Sequence, residues 1–211
     1  IIILEKSPKL LAKAEISGGG RCNVTHACFD ARQLVKYYPR GEKQLLGPFT
    51  KFEPANPIAW FENRGIQFQT EEDGRMFPAS DSSMNIINCF LHEARKLKIE
   101  VRTQEGMKEL HSVDGGWLVK TTRGKTIEAG SVIITTGGSV STWKMLAELG
   151  HTIVPPVASL FTFNINDARI KGLEGVSVPQ AAVTVTGNSK LLATGPVLVT
   201  HWGLSGPGIL R

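Results

Sequence analysis

The stretch Ile1-Ile2-Ile3-Leu4-Glu5 (IIILE) is four apolar residues, three of them β-branched, closed by a carboxylate. It shows no in–out alternation, so it predicts a strand covered on both faces, as in a parallel sheet. An acid at the carboxyl end of such a strand stands where a dinucleotide-binding fold places the group that holds ribose hydroxyls. A strand-end charge that simply meets solvent is the plain alternative. The G-x-G-x-x-G turn that accompanies such an acid belongs about twenty residues earlier, before Ile1. The chain opens without a methionine and closes on Gly208-Ile209-Leu210-Arg211 in mid-pattern. Both ends therefore read as cut from something longer.

The next informative string is Ser17-Gly18-Gly19-Gly20-Arg21-Cys22-Asn23-Val24-Thr25. Successive glycines let main chain approach a ligand closely and adopt φ > 0, and inward-facing amides make an anion-binding nest. Arg21 adds a fixed positive charge suited to pyrophosphate or to charge developing on a ring. Asn23 both donates and accepts, which suits a heterocycle edge. A large, planar, phosphate-bearing cofactor fits this cradle; a flexible surface turn with a chance arginine is the alternative. No G-x-x-x-x-G-K-[ST] occurs, which removes a P-loop nucleotidase. Cys22, His26 and Cys28 are ligand-like in type, but structural zinc wants four ligands in two spaced pairs, so no metal is expected. Cys22 beside Arg21 is a candidate low-pKa thiol, without a C-x-x-C partner, and packing is its simpler role. Cys89 falls on an apolar-striped helix and reads as core.

The rest of the chain alternates helix and strand signals. Residues 29–38 predict a helix stopped by Pro39-Arg40-Gly41, and residues 54–64 a helix entered through proline and stopped by Gly65. Two short strands flank the Asp73-Gly74 turn. The clearest helix spans 84–97, with a stripe of Met84, Ile87, Phe90 or Leu91, Ala94 and Leu97 and an N-cap within Ser80–Ser83. Residues 99–103 read as a strand, 107–122 as a hairpin turning at Asp114-Gly115-Gly116, and 125–129 as its third strand. Residues 131–138 (SVIITTGG) predict a second buried β-branched strand running out into two glycines. A helix follows over 141–150. Pro155-Pro156 marks a change to β-rich sequence. The expected architecture is α/β, a Rossmann-like domain over residues 1–156 with an inserted β-rich domain beginning at 157–211.

Composition agrees with a globular protein: 41% hydrophobic, 20% charged, net charge +5. The basic residues are scattered, which argues for a surface biased toward anionic ligands and against a nucleic-acid groove. Three cysteines make no disulfide framework and indicate a reducing, cytoplasmic compartment. No apolar run approaches the roughly 18 residues of a membrane span.

Taken together, Glu5-Lys6, ISGGGRCNVTH (16–26), LLGPFTKF (45–52), GRMFPASDSS (74–83), TTGGS (135–139), LGHTIVPPVASLFTF (149–163), IKGLEGVSV (170–178) and THWGLSGPGIL (200–210) resemble a bacterial family of NAD(P)/FAD-dependent oxidoreductases, the aminoacetone-oxidase-like or BaiN-like flavoproteins. The resemblance spans nearly the whole chain in the family's order. It implies a two-dinucleotide-binding-domain FAD fold with a β-rich and a helical insert. It also implies a small-molecule substrate, with NAD(P)H as candidate reductant. On that pattern Glu5 and Lys6 hold the adenosine ribose end and Ser17, Gly18, Gly19, Gly20, Arg21, Cys22 and Asn23 wrap the flavin end. Met107 offers main-chain groups to the adenine, and Thr136, Gly137 and Gly138 pass along the cofactor. Arg21 and Asn23 are the flavin-proximal candidates for a catalytic role, and His201 is a candidate on the substrate side. A flavin-dependent RNA-modifying enzyme and a non-catalytic flavin-binding protein are the alternative functions.

Overall fold

A computed structural model describes residues 1–38, 40–157 and 162–210. Pro39 of the expected helix stop and residues 158–161 of the motif at 149–163 lie outside them. The chain divides into two compact units, Ile1–Ser139 and Val140–Arg211. The division falls ahead of the Pro155-Pro156 pair at which the sequence changes character.

In the first unit, β1 (Ile2–Glu5) leads through a short helix α1 (Ala12–Ile16) into the glycine-rich turn. There follow β2 (Thr25–His26), α2 (Ala31–Leu34), α3 (Glu42–Phe49) and α4 (Ala55–Glu62). Next come β3 (Phe68–Thr70), β4 (Arg75–Pro78), α5 (Ser83–Lys96) and β5 (Glu100–Thr103). A meander of β6 (Met107–Val113), β7 (Gly116–Thr121) and β8 (Thr126–Ala129) closes the unit. β1 and β5 pair in parallel, from Ile2 opposite Glu100 to Glu5 opposite Thr103. Parallel pairing requires a crossover, and the segment from α1 to α5 supplies it. β2, β4 and β3 form a separate antiparallel sheet.

The core under the crossover is Cys22, Phe61 and Ile86, with Ala14, Val24, Trp60, Ile66, Phe68 and Cys89 packed on it. Phe61 meets Trp60 edge-on with centroids at 4.9 Å and Phe90 at 5.2 Å, geometries that aromatic quadrupoles favour. Ser83 Oγ donates to the Glu15 carbonyl at 2.9 Å, tying α5 to the end of α1. Caps follow the sequence: Asp30 accepts from the amides of Arg32 and Gln33, and Ser82 accepts from Met84.

Three sequence expectations change here. The α5 stripe is rotated: Ile86, Ile87, Ser83 and Glu93 are buried, while Met84, Phe90 and Leu97 are exposed. Glu93 sits inside because Arg64 reaches it at 3.0 Å while stacking over Trp60 at 3.8 Å, so a paired carboxylate occupies an apolar position. β1 is not covered on both faces, and Ile1, Ile2 and Ile3 are exposed. Among the described residues the sheet stops at two strands, which leaves β5 as the neighbour of β1 and the rest of the run uncovered. Residues 131–138 form no strand, and Ile133 is 88% exposed. Their β-branched composition finds no ladder among the described residues, and propensity without a partner does not make a strand. α3, with Pro48 inside it, falls in a stretch for which no secondary structure is predicted from the sequence.

The second unit starts with α6 (Val140–Glu148). Its antiparallel sheet runs in the order β10-β11-β12-β9, from β9 (Phe163–Asn164), β10 (Ser177–Val185), β11 (Asn188–Thr200) and β12 (Gly203–Ser205). α7 (Pro207–Leu210) packs on β11, where Gly195 and Gly208 approach closely: a Cβ on Gly195 would lie 3.1 Å from the Gly208 nitrogen. Among the described residues no helix is long and apolar enough to cross a membrane.

Candidate functional site

The glycine turn is built by its neighbours on both sides. Ser17 Oγ donates to the Ala14 carbonyl at 2.8 Å, ending α1, and the Cys22 amide returns to the Ser17 carbonyl at 2.9 Å. Between them Gly18, Gly19 and Gly20 all have positive φ, at 56°, 71° and 87°. L-residues with side chains resist that region. The two faces of the turn differ. A Cβ on Gly18 would come within 2.8 Å of the buried Phe77 ring and 2.9 Å of the Asn23 amide nitrogen, whereas a Cβ on Gly19 would meet nothing. The turn therefore rests on Phe77 and shows bare backbone on its open side.

Arg21 is held where sequence alone did not place it. Its Nη1 bonds Glu71 Oε1 at 2.7 Å, its Nε bonds Asp81 Oδ1 at 2.8 Å, and its guanidinium lies 4.0 Å over the Phe77 ring. Glu71 Oε2 also holds Arg75 at 2.7 Å. Glu71 and then Asp81 push the Arg21 pKa up, so the cation is permanent but balanced by two carboxylates. Cys22 is buried in the apolar cluster, and Cys89 beside it has its thiol pKa raised by burial. The Asn23 side-chain Nδ2, oriented to satisfy its donors, donates to the carbonyls of Thr25 (2.9 Å) and Met76 (3.3 Å). His26 Nε2 lies 2.9 Å from the Asp73 carbonyl and its ring packs on Gly74, bracing the β3–β4 turn. Among the described residues no three His, Cys, Asp or Glu side chains converge as metal ligands.

At the end of β1, Glu5 accepts a 2.7 Å bond from the Ser7 amide. That amide, then the Ser7 hydroxyl, and at longer range Lys13, lower its pKa. Lys6 is exposed and packs near Gly106, where a Cβ would lie 3.3 Å from its own. The Glu105 amide bonds the Glu5 carbonyl at 3.1 Å, and the Gly106 amide bonds Thr122 Oγ1 at 3.0 Å, which sets Met107 at the start of β6. Glu105 is 1% exposed, and its Oε1 has no hydrogen-bond partner among the described residues. Gly137 has φ 61°, and a Cβ there would lie 3.7 Å from Lys13 Nζ; Thr136 and Gly138 are exposed beside it.

Main-chain sites at 18–20 and 136–138 are thus linked through α1, with Lys13 between Glu5 and Gly137. His201 belongs to the second unit, in the turn between β11 and β12. Sequence reading missed Lys13, Glu71, Phe77, Asp81 and Glu105; only the GRMFPASDSS motif pointed toward Phe77 and Asp81. An open glycine face and a desolvated acceptor without a donor both fit a dinucleotide, which brings hydroxyl and amine donors and tolerates close backbone contact.

Relatives share this sequence at low identity. The chain is 24% identical over 222 residues to the ribosomal RNA dihydrouridine synthase of Escherichia coli K12, covering 100% of this chain and 54% of that protein. It is 24% identical over 215 residues to the 3-dehydro-bile acid delta(4,6)-reductase of Clostridium scindens, covering 98% and 51%. With the ribosomal RNA dihydrouridine synthase of Haemophilus influenzae the identity is 22% over 224 residues, covering 100% and 54%. The chain spans about half the length of these relatives. A sequence model of the HI0933-like protein Rossmann domain matches residues 1–206, and with the glycine turn, the Glu5 strand end and the parallel β1–β5 pair in place, the chain belongs to that flavoprotein family.

Proposed function

We propose that the protein is an FAD-dependent oxidoreductase in which the Gly18–Gly20 backbone and Glu5 hold the dinucleotide. The observation that carries this is the turn itself: three successive positive-φ glycines, backed by Phe77 on one side and open on the other. Bound flavin supplies hydride and electron transfer, and the protein supplies position and electrostatics.

Glu5, kept ionised by Ser7, accepts from ribose hydroxyls. Glu105 Oε1 offers a second acceptor at the same strand end, since leaving it buried and unpaired costs about 1–3 kcal/mol. Lys6, Ser17, Cys22 and Met107 act through main chain, and Thr136, Gly137 and Gly138 pass beside the cofactor. Arg21 fixes the loop over Phe77, its field muted by Glu71 and Asp81, and Asn23 holds the loop's exit. Residues 1–156 serve as the FAD-binding domain and 157–211 as the substrate-side β-rich part, with His201 facing substrate. NAD(P)H is the proposed reductant, and a reducing cytoplasmic setting suits the three free thiols. Anaerobic addition of NADH or NADPH to the FAD-loaded protein should bleach the flavin bands; a flavin that neither nucleotide reduces would remove the oxidoreductase assignment.

A second reading, flavin-dependent modification of RNA, is favoured by the relatives named for dihydrouridine synthesis in ribosomal RNA and is compatible with the net charge of +5. RNA affinity that falls steeply with salt supports it; absence of RNA binding at low salt rejects it.

A further inference from the structure

α1 is anchored on one face and carries an unclaimed cation on the other. Ala14 packs on the core of Cys22, Phe61 and Ile86. The Glu15 carbonyl accepts from Ser83 Oγ at 2.9 Å, and the Glu15 amide bonds the Leu11 carbonyl at 3.0 Å. Lys9 pairs with the Glu15 carboxylate. Lys13, exposed on the same helix, has no hydrogen bond or ion pair among the described residues.

Two observations place that ammonium. Gly137 has φ 61°, and a Cβ there would lie 3.7 Å from Lys13 Nζ, so the lysine tip lies against bare backbone of the 136–138 segment. The Ser139 amide bonds the Gly137 carbonyl at 2.8 Å and keeps this segment turned. On its other side is the end of β1. The Glu5 carboxylate is kept ionised first by the Ser7 amide, then by the Ser7 hydroxyl, and beyond these by the charge of Lys13. Lys13 thus stands between the acid proposed for the adenosine ribose and the glycines proposed to pass beside the cofactor, bonded to neither. The glycine turn begins five residues later at Gly18, roughly 8 Å further along at the helical rise. In a flavin dinucleotide the diphosphate follows the adenosine ribose, and the flavin end lies beyond it. The order of groups along α1 is the order of groups along the cofactor.

We infer that Lys13 binds the diphosphate of the adenine dinucleotide, its ammonium meeting the phosphate oxygens between Glu5 and Gly137. Lysine suits this task as a compact point charge with three rotatable donors, which accepts oxygens arriving from several directions. Gly137 suits it from the facing side, since a side chain there would fill the space beside Nζ and hold a phosphate off. Arg21 does not compete for the role, because Glu71 and Asp81 already hold its guanidinium. The inference rests on the FAD reading above and names the side chain that meets the phosphates.

The test follows acetylation of individual lysines in the 211-residue chain by a sulfo-N-hydroxysuccinimide ester, read by peptide mass spectrometry. The probes are ADP, adenosine, FAD and inorganic pyrophosphate. Saturating ADP or FAD should slow acetylation of Lys13 severalfold and leave the exposed Lys43 on α3 unchanged; adenosine should give Lys13 no protection. In calorimetric titrations Lys13→Gln should weaken ADP binding about tenfold, the worth of one charge-assisted hydrogen bond, and leave adenosine binding as in the parent. Lys13→Arg should restore most of the loss. Because Lys13 is exposed, both variants should melt with the parent. ADP or FAD bound without protection of Lys13, protection by adenosine, or equal ADP affinity in Lys13→Gln would overturn the inference and leave the FAD reading standing. Equal protection by pyrophosphate alone would reduce the site to a bare anion contact and overturn it as well. A parent chain that binds neither ADP nor FAD loses the inference and the FAD reading together.

Discussion

Replacing Gly18 and Gly19 separately by alanine separates a packing role from an access role in the same turn. At Gly18 two costs combine. A side chain at φ 56° sits in the left-handed region, at about 1–2 kcal/mol. The new methyl also meets Phe77 at 2.8 Å and the Asn23 amide nitrogen at 2.9 Å, an overpacking cost of about 1–3 kcal/mol. Phe77 is completely buried and pinned beneath Arg21, so it has little room to yield. Gly18→Ala should therefore lose about 3 kcal/mol, on the order of 6–12 °C in melting temperature. At Gly19 only the backbone cost applies, because a methyl there meets nothing. Gly19→Ala should cost about 1–2 kcal/mol. The cofactor assignment adds the opposite ranking per unit of stability: Gly19→Ala and, more strongly, Gly19→Val should weaken FAD binding far beyond their effect on folding. Urea or thermal unfolding reports the first quantity and flavin fluorescence titration the second. A Gly18→Ala protein as stable as the parent would refute the packing of this turn on Phe77. Gly19→Val with undiminished flavin affinity would refute the role of its open face.

Three further outcomes follow from the same geometry. Phe61→Ala should cost about 3–5 kcal/mol in a denaturant titration, because Phe61 is buried among Trp60, Phe68 and Phe90. Glu71→Ala should lower stability modestly, by releasing Arg21 and Arg75 together, and the difference should shrink at high salt because these pairs are partly exposed; a salt-independent difference would point to packing instead. Glu5 has a folded-state pKa below its ordinary value, so its contribution is fully present above the ordinary carboxylate range and is lost as pH falls through the folded value. Stability against pH for the parent and Glu5→Gln should therefore run parallel from about pH 5 to 8 and converge in acid; curves that stay parallel into acid would remove Ser7 as the cause.

What sequence reveals here is local chemistry. Asp114-Gly115 gives its turn, with Val113 opposite Gly116, because the turn residues themselves demand it. Ser82 caps α5 as the pattern requires, and the three glycines take the backbone conformations that only glycine adopts freely. What sequence hides is the identity of partners far along the chain. Arg21 looks like a free cation until Glu71 and Asp81, 50 and 60 residues away, close on it. Glu93 on α5 breaks the apolar period because Arg64 neutralises it. The β-branched run at 131–138 carries a strand's composition, but among the described residues it has no neighbouring strand to pair with. Lys13 and Glu105 gain interest only once the ends of β1 and β5 lie side by side.

The most direct measurement is amide hydrogen exchange of the chain with and without saturating FAD. Bound cofactor should slow exchange at 18–23, at the β1 end through Ser7, at 105–107 and at 136–138, and leave the β10–β11 hairpin unchanged. Unaltered exchange at 18–23 with protection elsewhere, or no change anywhere, would contradict the assignment of the glycine turn and Glu5 as the dinucleotide cradle.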